Sequence, residues 1–183
     1  MLTQTKLLQS SHDVFTRWRG FFVTAILILL FAPLISVLPS VRLWLFCMPA
    51  SYAASIFLGL QCMPAGEGYV LLHDSLPVYV TLACSASHYF VLVCALICGM
   101  LYDTDSKTSL RSLLWIVPMC YGVTLLANVA RIVLCWYAGI LARRYLAEGY
   151  WPSVHMGVGV LVFLSFLIVT YILIGRLYYV RRK

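Results

Sequence analysis

Residues 156–174 read MGVGVLVFLSFLIVTYILI, a run of nineteen residues without one charged side chain. As an α-helix this run would be about 28 Å long, close to the roughly 30 Å thickness of the hydrocarbon core of a bilayer. Soluble domains rarely contain such a run, so it predicts a transmembrane helix and an integral membrane protein.

Four other apolar stretches approach or exceed spanning length, at residues 21–38, 43–60, 89–102 and 113–127. The composition agrees, because 63% of the 183 residues are hydrophobic and only 10% are charged. We predict an all-α membrane protein, a bundle of about five to six transmembrane helices that forms one domain over residues 1–183. The first stretch is too long for the apolar part of a cleavable signal peptide, so we expect it to remain in the mature chain.

Two shorter segments depart from this pattern. Within residues 61–83, GYVLLH and LPVYVTL are rich in β-forming residues, and Asp74 and Ser75 between them predict the turn of a small β-hairpin. Residues 132–146 are apolar but short and contain ARRY near their end, which favours an interfacial or re-entrant helix over a full span. On this interpretation Cys84, Arg131 and His155 share one face of the membrane.

Charged residues carry little further information. The net charge is +7, and basic residues at the ends of apolar stretches are typical of anchors to membrane lipids, so nucleic-acid binding is not predicted. If Cys84 lies on the extracytoplasmic side, six basic residues fall on the cytoplasmic side and five on the extracytoplasmic side. Arg42 is one of the six. The positive-inside rule therefore favours neither orientation. Seven cysteines without a CxxC pair predict no disulfide framework, and four scattered histidines without ligand spacing predict no metal site. We expect no other cofactor.

Three polar residues stand at the edges of apolar stretches: Cys84 in LACSASHYF, Arg131 in NVARI and His155 in WPSVHMGVGVLVF. An arginine within a span is costly without a polar partner, and a thiol attacks as the thiolate, which a nearby cation favours. If each residue opens a helix, together they would supply a nucleophile, an anion stabiliser and a proton carrier. Taken singly, Cys84 would more often be a buried small residue and His155 an interfacial histidine, while Arg131 could equally well be a lipid anchor.

Helical spacing places supporting residues near these three. Gly159 and Phe163 follow His155 at intervals of four and would share its helix face, with the glycine allowing another helix to approach. Asn128 lies three residues before Arg131 and is a supporting candidate.

Residues around the cysteine complete the candidate set. Ser85, which follows Cys84, is a supporting residue, and His88, four residues after Cys84, is a second-line base. His73 and Asp74 in the predicted hairpin turn are also second-line candidates, more typical of solvated residues.

The motifs ACSAS, NVARI and HMGVGVLVF resemble the three signature blocks of the exosortase/archaeosortase family of integral membrane cysteine transpeptidases. The family's blocks read approximately A-C-S-G, N-x-x-R-I and H-x-x-x-G-x-x-x-F, and here they lie within residues 68–163. The matching residues are Ala83, Cys84, Ser85, Asn128, Arg131, Ile132, His155, Gly159 and Phe163. Ala86 stands where the family usually has glycine, and the short N-terminal region resembles that of compact members such as exosortase K.

The resemblance implies that Cys84 is the nucleophile, that Arg131 polarises or positions the reacting groups, and that His155 carries the proton. It implies a multi-pass protein of the cell membrane with its active site on the extracytoplasmic face. Substrates would be exported proteins with a C-terminal sorting signal, made of a short motif, a transmembrane helix and a basic tail. The enzyme would cleave near the motif and transfer the protein to a surface acceptor of unknown identity.

Two other functions fit parts of the pattern. A small-molecule-binding membrane subunit of a transporter has a similar length and number of spans, and Arg131 would then bind an anionic ligand. A quinone-linked thiol oxidoreductase would need paired reactive cysteines, for which Cys94 and Cys98, one helical turn apart in an apolar stretch, are the candidates.

Overall fold

The computed structural model describes residues 37–73, 77–104, 110–145 and 151–181, together with Ile26, Leu30 and Pro33. Four helices in this part are long and apolar enough to cross a membrane: Pro39–Leu58, Leu82–Met100, Trp115–Tyr145 and Ser153–Arg176. The predicted helical membrane architecture is confirmed, although about five to six spans were expected. The expected span at residues 21–38 lies largely outside the described residues.

The elements follow one another in a simple order. Helix α1 covers Pro39–Leu58 with a π-helical turn at Leu43–Cys47, and three strands follow: β1 (Gln61–Ala65), β2 (Gly68–Leu72) and β3 (Val78–Val80). A 3-10 turn at Leu82–Cys84 then leads into α2 (Ser87–Thr104), α3 (Leu110–Tyr145) and α4 (Trp151–Arg181).

A proline accounts for the π-helical turn in α1. Pro49 has no N–H, so it cannot donate a hydrogen bond to the carbonyl of Leu45 one turn earlier. The hydroxyl of Tyr121 in α3 donates to that carbonyl instead, at 2.6 Å. Phe46 packs edge-on against the ring of Tyr121, so this contact fixes α1 against α3.

The three strands form an antiparallel sheet in the order β1-β2-β3. The predicted hairpin corresponds to β2 and β3, while its predicted turn at Asp74 and Ser75 lies outside the described residues. Strand β1 was not predicted, because its sequence QCMPA has neither β-branched residues nor an alternating pattern. It forms because it pairs with β2 along its whole length.

Two buried clusters meet next to Cys84. One packs the sheet against α1 and α3, and its members are Ala50, Ala54, Leu71, Val80, Cys84, Val129 and Ile132. The other joins α2, α3 and α4, and its members are Ala86, Tyr89, Val93, Ile97, Ile116, Cys120, Ala127 and Ile174. The short segment from Cys84 to Ala86 therefore links the sheet to the helical bundle.

Helix α3 is continuous over 36 residues, which makes it about 54 Å long. The prediction of a separate interfacial or re-entrant helix at residues 132–146 was therefore wrong. Neither Asn128 nor Arg131 breaks a helix, and both side chains find polar partners at Cys84, which offsets the cost of placing them within a span. The sequence had suggested that Arg131 opens a helix, but it lies in the interior of α3.

Candidate active site

Cys84 is positioned by a short turn at the end of the sheet. Its N–H donates to the carbonyl of Thr81 at 2.8 Å, and the next N–H, of Ser85, donates to the carbonyl of Leu82 at 3.2 Å. The carbonyl of Cys84 accepts a hydrogen bond from Nδ2 of Asn128 at 2.9 Å. The main chain of the cysteine is thus fixed from within the turn and from α3.

Ala86 turns the chain from this segment into α2. Its φ of 53° lies in the left-handed region, which glycine enters without the steric cost that a Cβ brings. This conformation gives a physical reason for the glycine at the equivalent position of the A-C-S-G block. Helix α2 begins only at Ser87, so the helical spacing that would place His88 on the same face as Cys84 does not apply. His88 is exposed and does not line the groove described below.

Arg131 lies between the thiol and the imidazole. Its Nη2 is 3.6 Å from Sγ of Cys84 and 3.4 Å from Nε2 of His155. Because a guanidinium has donors only, its hydrogen bond to His155 requires Nε2 to be the acceptor. The three residues that the sequence singled out are therefore brought together, and their chemical roles remain predictions.

The histidine block on α4 surrounds the same arginine. His155 contacts Nη2, an added Cβ on Gly159 would lie 3.2 Å from Nε, and the guanidinium carbon lies 5.4 Å from the ring centre of Phe163. Phe163 is itself stacked on Tyr89, with 4.5 Å between centroids and 15° between planes. Because His155, Gly159 and Phe163 are four residues apart, they lie on one face of α4, and all three lie against the side chain of Arg131.

Two further residues support these contacts from α3. Asn128 is fully buried, and while its Nδ2 holds the carbonyl of Cys84, its Oδ1 has no hydrogen-bond partner among the described residues. Cys135, one turn after Arg131, places its thiol 3.8 Å from the carbonyl oxygen of His155. Both contacts tie α3 to the segments that carry the cysteine and the histidine.

Sequence reasoning missed Arg42. Its Nη2 donates to the carbonyl of Leu82 at 2.7 Å, and both Nε and Nη2 lie 3.2 Å from Oγ of Ser85. Ser85 in turn lies 3.1 Å from the hydroxyl of Ser87. The guanidinium thus lies beside the cysteine turn and not at the opposite membrane face, where the charge count had placed it. The available signal, an arginine at the junction of two apolar stretches, equally indicates a lipid anchor.

An open groove of about 580 Å³ runs past the cysteine. One wall comes from β3 and the turn that follows it, and the other comes from α3 and α4, including Trp136, Met156 and Val160. Cys84, Arg131 and His155 all line it. His73 lies edge-on against Trp136 at 5.5 Å, and Asp74 lies outside the described residues.

The other cysteines have different surroundings. All seven are free, and Cys94 and Cys98 pack against the buried cluster of the helical bundle, away from the groove. Cys62 lies in β1, where burial raises the pKa of its thiol. Within the ranges that the structure describes, no three His, Cys, Asp or Glu side chains are grouped so that they could hold a metal ion.

Fold and site together define a multi-pass helical membrane protein with a cysteine, an arginine and a histidine gathered in one groove. The model of the transmembrane exosortase family matches residues 6–172, which is most of the chain. The protein belongs to the transmembrane exosortase family, as the three sequence blocks predicted. No curated protein and no solved structure matches it.

Proposed function

We propose that this protein is a membrane-embedded cysteine transpeptidase or protease. Membership of the transmembrane exosortase family supports the proposal. The observation that carries it is the position of Arg131, whose Nη2 contacts both Sγ of Cys84 and Nε2 of His155. A cation held against a thiol and an imidazole suits nucleophilic attack on a peptide carbonyl.

In the first half of the reaction, Nε2 of His155 gives up its hydrogen bond from Arg131 and takes the proton of the Cys84 thiol, and the sulfur attacks the carbonyl carbon of the scissile bond. Arg131 stabilises the negative charge that moves from the sulfur to the carbonyl oxygen. The carbon–nitrogen bond then breaks, and His155 returns the proton to the departing amine. A thioester between Cys84 and the substrate remains.

In the second half, an acceptor amine attacks the thioester carbon and gives up a proton to His155. Cys84 leaves as the thiolate and recovers that proton, so the enzyme returns to its starting state with no net change. If water replaces the amine, the same steps give hydrolysis. Because the groove is open and not an enclosed cavity, it leaves access for either acceptor.

The substrates proposed are exported proteins with a C-terminal sorting signal, composed of a recognition motif, one transmembrane helix and a basic tail. The protein would act in the cell membrane, with the groove on the extracytoplasmic face. A membrane-embedded enzyme with an open groove suits such substrates, because their transmembrane helix brings the scissile bond to the bilayer surface. The transmembrane helix and tail would be released as the leaving amine.

The test is a comparison of C-terminal peptides of membrane and surface proteins in the native host, between wild type and Cys84→Ala. We expect proteins with a C-terminal helix and basic tail to retain that tail in the mutant. Cys62→Ala is the matched control, because it removes a thiol in β1 that does not line the groove. Its C-terminal peptides should be those of the wild type.

Two outcomes would contradict the proposal. If Cys84→Ala accumulates normally and no C-terminus changes, the thiol has a packing role only. If a small anionic molecule then copurifies with Cys84→Ala but not with Arg131→Ala, the protein is the ligand-binding subunit considered as the alternative.

A further inference from the structure

One edge of the sheet borders the groove. Strand β2 occupies one side of β3, and among the described residues no strand pairs with the other side. Val78 and Tyr79, consecutive residues of β3, both line the groove, as does Pro77 just before the strand. Side chains alternate between the two faces of a strand, so consecutive lining residues mean that the groove meets the backbone edge of β3 and not one of its faces.

The orientation of the main chain identifies which groups face outward. An added Cβ on Gly68 of β2 would collide with the carbonyl oxygen of Val80, so that oxygen points toward β2. In an antiparallel pair, the N–H and C=O of successive residues point alternately toward and away from the partner strand. The N–H and C=O of Tyr79 therefore point away from β2, toward the free edge.

This edge leads directly to the proposed nucleophile. From Tyr79 the chain passes through Thr81 and Ala83, which also line the groove, to Cys84. A polypeptide extended along β3 would follow this wall and bring a carbonyl carbon to the thiol. Lipid chains could fill the groove but could not pair with a main-chain N–H and C=O, whereas an extended peptide offers both an acceptor and a donor.

We propose that the substrate segment around the scissile bond binds as an additional strand along the free edge of β3, paired with the main-chain N–H and C=O of Tyr79. The proposal rests on the transpeptidase function proposed above and specifies how its substrate is held. Main-chain pairing would bind the extended segment largely independently of its side chains. Residues on the opposite wall, among them Trp136 and Met156, would then contact substrate side chains.

The experiment compares Tyr79→Pro with Tyr79→Val by the same C-terminal peptide analysis. Proline removes the outward N–H and is compatible with an edge strand, whereas valine keeps the N–H and changes only a side chain that is 64% exposed. We expect tail removal by Tyr79→Pro to be at least tenfold lower than by Tyr79→Val, because only the proline variant lacks the N–H. Labelling of Cys84 with a small maleimide should proceed in both.

Each alternative result has a distinct meaning. Wild-type processing by Tyr79→Pro would overturn the strand pairing and leave the transpeptidase function intact. Equal loss in both variants would assign the effect to the side chain and also overturn the pairing. If Cys84→Ala retains no tails, the proposed function fails and the strand pairing fails with it.

A second measurement covers the case in which Tyr79→Pro does not accumulate. The enzyme variant carries Tyr79→Cys together with Cys84→Ala. Its partner is a substrate whose tail is retained in Cys84→Ala, prepared with one cysteine at each of several successive positions. The two proteins are oxidised together, and disulfide formation is measured for each position. Pairing along β3 should give disulfides at alternate substrate positions, because side chains alternate in a strand. Crosslinking that is uniform along the segment, or absent from it, would overturn the proposal.

Discussion

Gly159 lies directly against Arg131: a Cβ added to the glycine would be 3.2 Å from Nε and 3.6 Å from Cδ of the arginine. The arginine side chain therefore passes over the backbone of α4 with no space between them. This close approach keeps Nη2 between Cys84 and His155. The glycine thus sets the position of the charge in the groove.

Gly159→Ala is expected to lower the rate of tail removal about tenfold, because the added methyl group must displace the guanidinium by a few tenths of an ångström or more. The protein should accumulate normally, since alanine favours a helix over glycine by about 1 kcal/mol. The control is Gly157→Ala on the same helix, where an added Cβ meets nothing within 4 Å. Equal rates for the two variants would contradict this role of Gly159.

Arg131→Lys is expected to reduce processing at least a hundredfold although the positive charge is kept. A lysine ammonium is a single point, whereas the planar guanidinium contacts the thiol and the imidazole and lies against Phe163. The rate of tail removal should be measured after a pulse of substrate synthesis. Arg144→Lys, at an exposed position outside the groove lining, should process normally. A fully active Arg131→Lys would mean that charge alone suffices.

Arg42 acts, in our interpretation, as a positioning residue through its hydrogen bonds to Leu82 and Ser85. Hydrogen bonds from charged groups contribute about 1.5–3 kcal/mol, so Arg42→Gln should slow processing about tenfold and Arg42→Lys, which can still reach one acceptor, should slow it less. The labelling rate of Cys84 by a small thiol reagent should fall in the same order. If both variants lower the unfolding temperature but leave that labelling rate unchanged, the role of Arg42 is structural only.

Ala86→Gly is expected to stabilise the protein. A left-handed alanine costs about 1 kcal/mol relative to glycine, which corresponds to a rise of roughly 2–4 °C in Tm for a chain of this size. Thermal unfolding in detergent measures the change. Ala53→Gly in the interior of α1 is the matched control and should lower Tm instead. A lower Tm for Ala86→Gly would show that the alanine is favoured by its packing.

The parts of the fold that were predicted are those with a local signal. Apolar runs marked the spans, β-forming residues marked β2 and β3, and a spacing of four aligned His155 with Gly159. The signature blocks then indicated which cysteine, arginine and histidine the structure would bring together.

The errors concern interactions between residues distant in sequence. Arg131 was taken as the end of a span because its partner, Cys84, lies 47 residues earlier, and an arginine without a polar partner is costly inside a span. Arg42 was assigned to the wrong membrane face for the same reason, since Ser85 lies 43 residues later. Strand β1 depends on pairing with β2, which its own sequence does not indicate.

The continuity of α3 has a mechanical consequence. Trp136, on the wall opposite β3, and Arg131, beside the thiol, are five residues apart on one uninterrupted helix, a separation of about 7.5 Å. Because the helix has no break between them, the backbone positions of Trp136 and Arg131 are fixed relative to each other. The wall of the groove opposite β3 and the charge beside Cys84 therefore belong to one rigid segment of the protein.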